Sequence, residues 1–140
     1  MDHLKLISNT CMLQHVRAAA RRVTDHYEKA LKPTGLTASQ FTTLVAIARF
    51  RDPPITMLAE RLTMDRTTMT RVLAPLQRRG LVSQNADAQD KRMRRLSLTP
   101  DGISLLREAE AIWDGVQAHM LEKLSPEVWE EMRDQLAKLT

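Results

Sequence analysis

Between Asp65 and Arg71 the chain reads Asp-Arg-Thr-Thr-Met-Thr-Arg, placing Arg66, Thr67, Thr68, Thr70 and Arg71 around one apolar residue. Threonine hydroxyls both donate and accept hydrogen bonds, and guanidinium groups donate two in parallel, so this set suits an anionic partner with planar polar edges. Further along, Asp90, Lys91, Arg92 and Arg94 form a second group, with Arg95 beside it. The positive charge is local. Residues 66–99 hold eight Lys/Arg against two Asp/Glu, while 1–65 hold nine against six and 100–140 four against nine. A cationic middle between largely offsetting flanks marks one anion-binding region rather than a generally sticky protein.

Other chemistry has little to stand on. Four dispersed glycines make no phosphate-cradling loop, and neither a nucleophile elbow nor a zinc-helix motif occurs. His15 and His26 share a helix face but lie about 16 Å apart at 1.5 Å per residue, too far to share a metal. Glu127, Glu130, Glu131 and Asp134 read as a solvated face. No enzymatic activity, cofactor or metal is expected.

The elements that must position the two groups follow from periodicity and capping. Leu13, Val16, Ala20, Val23, Tyr27 and Leu31 recur at three- and four-residue steps and predict one long amphipathic helix over 8–31, ended by Lys32-Pro33-Thr34-Gly35. Thr37 with Gln40 is a capping box, opening a helix whose expected buried face is Phe41, Leu44, Val45 and Ala48. Thr56 is expected to cap a short helix over 57–62, and Asp65 another that ends at Gly80 and bends at Pro75. Leu81-Val82 and the alternation of Leu96 and Leu98 with Arg95, Ser97 and Thr99 predict two strands, with a polar loop over 85–94 between them. Thr99-Pro100-Asp101 and Ser125-Pro126-Glu127 each start a further helix. Ile103, Leu106, Trp113, Val116 and Met120 line the first, and Val128, Met132, Leu136 and Leu139 the second.

The predicted fold is mainly α with a small β-hairpin wing: a winged helix-turn-helix flanked by long dimerisation helices. Its expected parts are an N-terminal dimerisation helix (1–34), a DNA-binding lobe (35–99) and C-terminal dimerisation helices (100–140), joined in one unit. A helix with polar and basic residues on one face and Met69, Leu73 and Leu76 on the other can meet the major groove while packing on its neighbour. Lys91, Arg92, Arg94 and Arg95 lie where a wing reaches phosphates or the minor groove, with an Asp90–Arg92 pair as an orienting contact.

Asp65-Arg-Thr-Thr-Met-Thr-Arg71, Arg79-Gly-Leu-Val82, and Asp90-Lys-Arg92 followed by Leu96-Ser-Leu-Thr99-Pro-Asp-Gly102 resemble the multiple-antibiotic-resistance regulator (MarR) family. The resemblance runs from about Leu13 to the C-terminus and includes Gly35-Leu36-Thr37. It implies a homodimer with intertwined terminal helices that places two recognition helices in successive major grooves of a pseudo-palindromic operator in double-stranded DNA. By that likeness Thr67, Thr68 and Thr70 approach base edges, Arg66 and Arg71 touch bases or phosphates, and Arg92, steadied by Asp90, enters the minor groove.

The resemblance also implies control, most simply a repressor released by a small anionic aromatic effector, for which His15, Arg17, Arg21 and Arg22 are candidate contacts. An oxidised cysteine is the alternative. Cys11 lies in the right region, but the place of the reactive cysteine in hydroperoxide-sensing relatives falls on Leu13, and one assisting tyrosine is replaced by Ala38. Packing is the competing role for Cys11. A single cysteine, no apolar run near the roughly 18 residues of a membrane span and no signal-peptide pattern lead us to expect a cytoplasmic protein without membrane contact. A winged-helix adaptor that meets an acidic protein instead of DNA is the rival from another class.

Overall fold

Four helices start at a side chain that caps them, and these starts frame the computed structural model, which describes residues 1–140. Thr37 accepts from the Gln40 amide while the Gln40 side chain accepts from the Thr37 amide, opening α3 (Ala38–Phe50). Asp65 accepts from the Thr68 amide at 2.6 Å and opens α5 (Arg66–Arg78). Thr99 and Ser125 do the same for α6 (Pro100–Leu124) and α7 (Pro126–Ala137). Each cap satisfies an N–H that the first helical turn leaves without a partner.

The N-terminal segment departs from the expected single helix. Instead of one helix over 8–31 there are two, α1 (Asp2–Thr10) and α2 (Met12–Leu31), separated at Cys11, whose ψ of 109° is extended. The Thr10 hydroxyl donates to the Leu6 carbonyl at 2.7 Å and the Cys11 amide to Ile7 at 2.9 Å, closing α1. His15 Nε2 contacts the Asn9 carbonyl at 2.8 Å across the corner. Apolar periodicity continues through such a corner, so it gives no sign of the break.

A 3₁₀ turn (Lys32–Thr34) and Gly35, at φ +66°, lead into α3. The short helix is α4 (Ile55–Arg61), which starts earlier than Thr56 because the Pro54 carbonyl accepts from Leu58 at 3.2 Å. The turn to α5 is made by Thr63 at φ +53°, with the Met64 amide reaching back to Ala59 at 2.8 Å. α5 runs unbroken through Pro75 and stops at Arg78, two residues before the expected end. Gly80, at φ +69°, then turns the chain as the Leu81 amide reaches Leu76 at 2.9 Å.

The hairpin pairs β1 (Val82–Ala86) with β2 (Arg94–Leu98) in antiparallel register, Val82 opposite Leu98 and Ala86 opposite Arg94. Leu31, Phe41, Leu44, Ile47, Leu58, Met69, Leu73, Leu76, Leu81, Leu96 and Leu106 form one core beneath α5 and the hairpin. On α3 the buried face is Phe41, Leu44, Ala46 and Ile47, while Val45 and Ala48 are exposed. Of the α2 stripe only Leu31 is buried and Tyr27 half-buried; Leu13, Val16, Ala20 and Val23 face outward. Further outward apolar residues lie on α1 at Leu4, Leu6 and Ile7, on α6 at Ile103 and Trp113, on α7 at Val128, Met132 and Leu136, and just past it at Leu139. No helix is long and apolar enough to cross a membrane.

Gly102 joins the lobe to α6. A Cβ there would stand 2.1 Å from the Leu81 carbonyl oxygen, so only glycine lets the helix start lie against the hairpin base. Thr99 completes the joint, its amide donating to Leu81 at 3.1 Å and its hydroxyl to Gly80 at 2.6 Å.

Candidate nucleic-acid interface

α5 presents its polar face because its apolar residues leave no alternative. Met69, Leu73 and Leu76 point into the core, and burying each stabilises the fold by roughly 1.5–3 kcal/mol. Arg66, Thr67, Thr70 and Arg71 are therefore exposed, near the N-terminal end where free amides favour an anion. Thr68 is half-buried and turned toward the cap, and its amide and hydroxyl, with Arg71 further off, hold the Asp65 carboxyl below its usual range. The Thr70 hydroxyl donates to the Arg66 carbonyl at 2.9 Å, which leaves its oxygen as an acceptor toward a partner.

The wing tip is built by its two aspartates. The Met93 amide donates to the Asp90 carbonyl at 2.9 Å, a β-turn with Lys91 and Arg92 at its two corners. The expected Asp90–Arg92 contact exists, but between the carboxylate and the Arg92 backbone amide, at 3.0 Å. Asp90 thus shapes the turn and leaves the guanidinium free; aspartate at the first turn position commonly does this. Lys91, Arg92 and Arg94 are exposed.

Arg95 differs from its neighbours. Its Nε donates to the Asp87 carboxylate and its Nη1 to the Asp52 carbonyl at 2.8 Å, so it braces the wing instead of reaching outward. Asp87 also accepts from the amides of Gln89 and Asp90 at 2.8 and 3.1 Å. The Arg95 guanidinium and then these amides pull the Asp87 carboxyl down to about 2. Gln77 of α5 donates to Gln84 of β1 at 2.9 Å, tying helix to wing. Arg79 anchors the end of α5, donating to the carbonyls of Gly35 and Thr34 at 3.0 and 2.9 Å. Periodicity carried no sign of the Asp52, Ser97 and Arg79 contacts, which span more than forty positions.

The candidate effector contacts lie away from the cleft beside Phe50. His15 holds the α1–α2 corner, and Arg17, Arg21 and Arg22 are exposed along α2. Cys11 is half-buried at that corner. A cleft of about 720 Å³ opens instead between α3, α4 and α6, walled by Phe41, Val45, Phe50, Leu62 and Trp113. Arg49 and Arg61 flank it, their guanidinium carbons 5.5 and 5.7 Å from the Phe50 ring centre. The sequence reading missed both arginines, since nothing local joins positions on different helices.

Helix, turn, helix and a two-stranded hairpin over one core define a winged helix-turn-helix protein. Residues 36–93 match the MarR family. The transcriptional regulator MosR of M. tuberculosis, solved in complex with DNA, is 38% identical, superposes with a TM-score of 0.82, and 92% of each chain is covered. MepR of S. aureus, also solved as a DNA complex, is 25% identical with a TM-score of 0.81, covering 91% of this chain and 95% of that one. The organic hydroperoxide resistance transcriptional regulator of Bacillus subtilis is 29% identical over 108 residues, 77% of this chain and 72% of that protein. The chain belongs to the MarR family and is a transcriptional regulator, not an enzyme.

Proposed function

We propose that the protein acts in the cytoplasm as a homodimer that binds a pseudo-palindromic operator and represses by occupying it. The observation that carries this reading is the pairing of two cationic surfaces on one braced lobe: the exposed Arg/Thr end of α5 and the Lys91-Arg92 turn. α5 enters the major groove, where Thr67 and Thr70 meet base edges, Thr68 does so from its half-buried place, and Arg66 and Arg71 contact bases or phosphates. Arg92, with Lys91 and Arg94 on flanking phosphates, enters the minor groove. The DNA complexes of MosR and MepR, which share this fold, support the reading. The dimer rests on the apolar faces of α2, α6 and α7, too extensive for solvent. Dimer geometry then sets the half-site spacing.

Release by a small anionic aromatic compound is the favoured control. The cleft beside Phe50 supplies ring-stacking walls and two cations, and its α3 wall runs directly into the turn that supports the wing. Oxidation of Cys11 is the second reading, favoured by the likeness to the hydroperoxide resistance regulator. Peroxide that releases DNA from the wild type but not from Cys11→Ser, with aromatic acids inert, would replace the first reading by the second.

The DNA claim is tested by selecting bound sequences from random duplexes and titrating the best with salt. A steep fall of affinity with salt and a symmetric preferred sequence are expected. Arg92→Ala should lower the log–log salt slope by about one, and Thr68→Ala should alter preference at one position per half-site. Weak, salt-sensitive binding without sequence preference would overturn the operator reading in favour of an adaptor for an acidic protein.

A further inference from the structure

Arg51 and Asp52 both take a positive φ, 48° and 55°, a region that residues other than glycine enter only when their surroundings hold them there. The wing does the holding. The Asp52 carboxylate accepts from the Ser97 hydroxyl, and its carbonyl accepts from Arg95 Nη1 at 2.8 Å. The next carbonyl, of Pro53, accepts from the Leu96 amide at 3.1 Å, and Pro54 bridges to Arg95. Arg95 continues to Asp87, whose amide donates to Met93 at 2.9 Å at the base of the Lys91-Arg92 turn. A two-stranded ribbon is marginal alone, and here the 51–54 turn stands where a third strand would.

We propose that Asp52 is a positioning residue for operator recognition: through Ser97 and Arg95 it fixes where Arg92 meets DNA, and so sets the preference at base pairs flanking those read by α5. The inference rests on the wing–DNA reading above. An arginine in a narrow groove discriminates only when its approach is fixed beforehand, because ordering it on binding uses up the gain. Unbraced, the ribbon swings about its base while α5, held by the core, stays in place.

The test measures binding of wild type, Asp52→Ala, Asp52→Asn, Arg92→Ala and the Asp52→Ala/Arg92→Ala double variant to duplexes with a constant α5 half-site and varied flanks. Thermal melting checks that each is folded. Asp52→Ala should weaken binding about five- to tenfold, part of the loss in Arg92→Ala, and flatten the flank preference. Asp52→Asn keeps an acceptor oxygen and tolerates a left-handed backbone, so it should recover most of both. In the Arg92→Ala background Asp52→Ala should add less than about twofold, because the two act as one unit. Equal losses in both backgrounds, or an intact flank preference, would overturn the proposal. If Arg92→Ala binds like wild type, the wing reading falls and this inference with it; if only Asp52→Ala is without effect, this inference falls alone. Should Asp52→Ala fail to fold, Ser97→Ala removes the donor without touching the turn and is expected to flatten the preference in the same way, and an unchanged preference there overturns the proposal.

Discussion

The lobe between Leu36 and Thr99 and the helices around it use the same apolar residue types to opposite ends. In the lobe Leu44, Leu58, Met69, Leu76 and Leu96 are all 0% exposed, whereas Val128, Met132 and Leu136 on α7 are 45%, 40% and 39% exposed. The lobe closes its core within one chain; the terminal helices carry a comparable stripe with nothing of their own chain to cover it. One region is closed and rigid, as a reading head needs, and the other is the surface on which the proposed dimer rests.

The largest effect is expected in the lobe: Leu76→Ala should lower unfolding free energy by about 2–5 kcal/mol in a denaturant titration, because it opens a cavity the helices cannot refill. A loss under about 1 kcal/mol would mean that the lobe is not the rigid part. Gly102→Ala strikes the joint between the regions, driving a methyl into the Leu81 carbonyl, and should cost about 1–3 kcal/mol by the same measurement. Met132→Glu on α7 should leave the melting of a single chain within about 0.5 kcal/mol, as exposed sites do, yet shift sedimentation at micromolar concentration toward the monomer mass. A wild type that already sediments as a monomer would remove the association half of the comparison.

The smallest effect concerns the wing. The Asp87 carboxyl is lowered from 3.8 to about 2, so its contribution to wing order is present above the ordinary value and fades as pH falls through about 2. Carboxyl carbon NMR should place its midpoint near 2, and higher but still below the ordinary value in Arg95→Gln, where the first of its partners is lost and the Gln89 and Asp90 amides remain. An unchanged midpoint in that variant would show that the backbone amides of Gln89 and Asp90 suffice to brace the tip.

Much of this was readable from residues a few positions apart. The capping box at Thr37, the Asp65, Thr99 and Ser125 caps, the inward set Met69, Leu73 and Leu76 and the alternation through Leu96 and Leu98 each depend on bonds or periods within one element, so pattern alone located them. The two basic groups followed, since the outward face of α5 is what its inward face leaves over. The break at Cys11 and the outward turn of Val45 escaped, because an apolar period does not say which side finds a neighbour.

Capping, period and turn chemistry act locally, so the residues alone placed the helices from α3 onward, the two strands and the outward cations of α5 and of the Lys91-Arg92 turn. It took the folded chain to spend Arg95 on Asp87 and Asp52, to clasp Arg79 on the turn before α3, and to bring Arg49 and Arg61 to one cleft with Trp113. Those partners meet only after the core has closed, and a hydrogen bond between residues more than forty positions apart leaves no period along the chain.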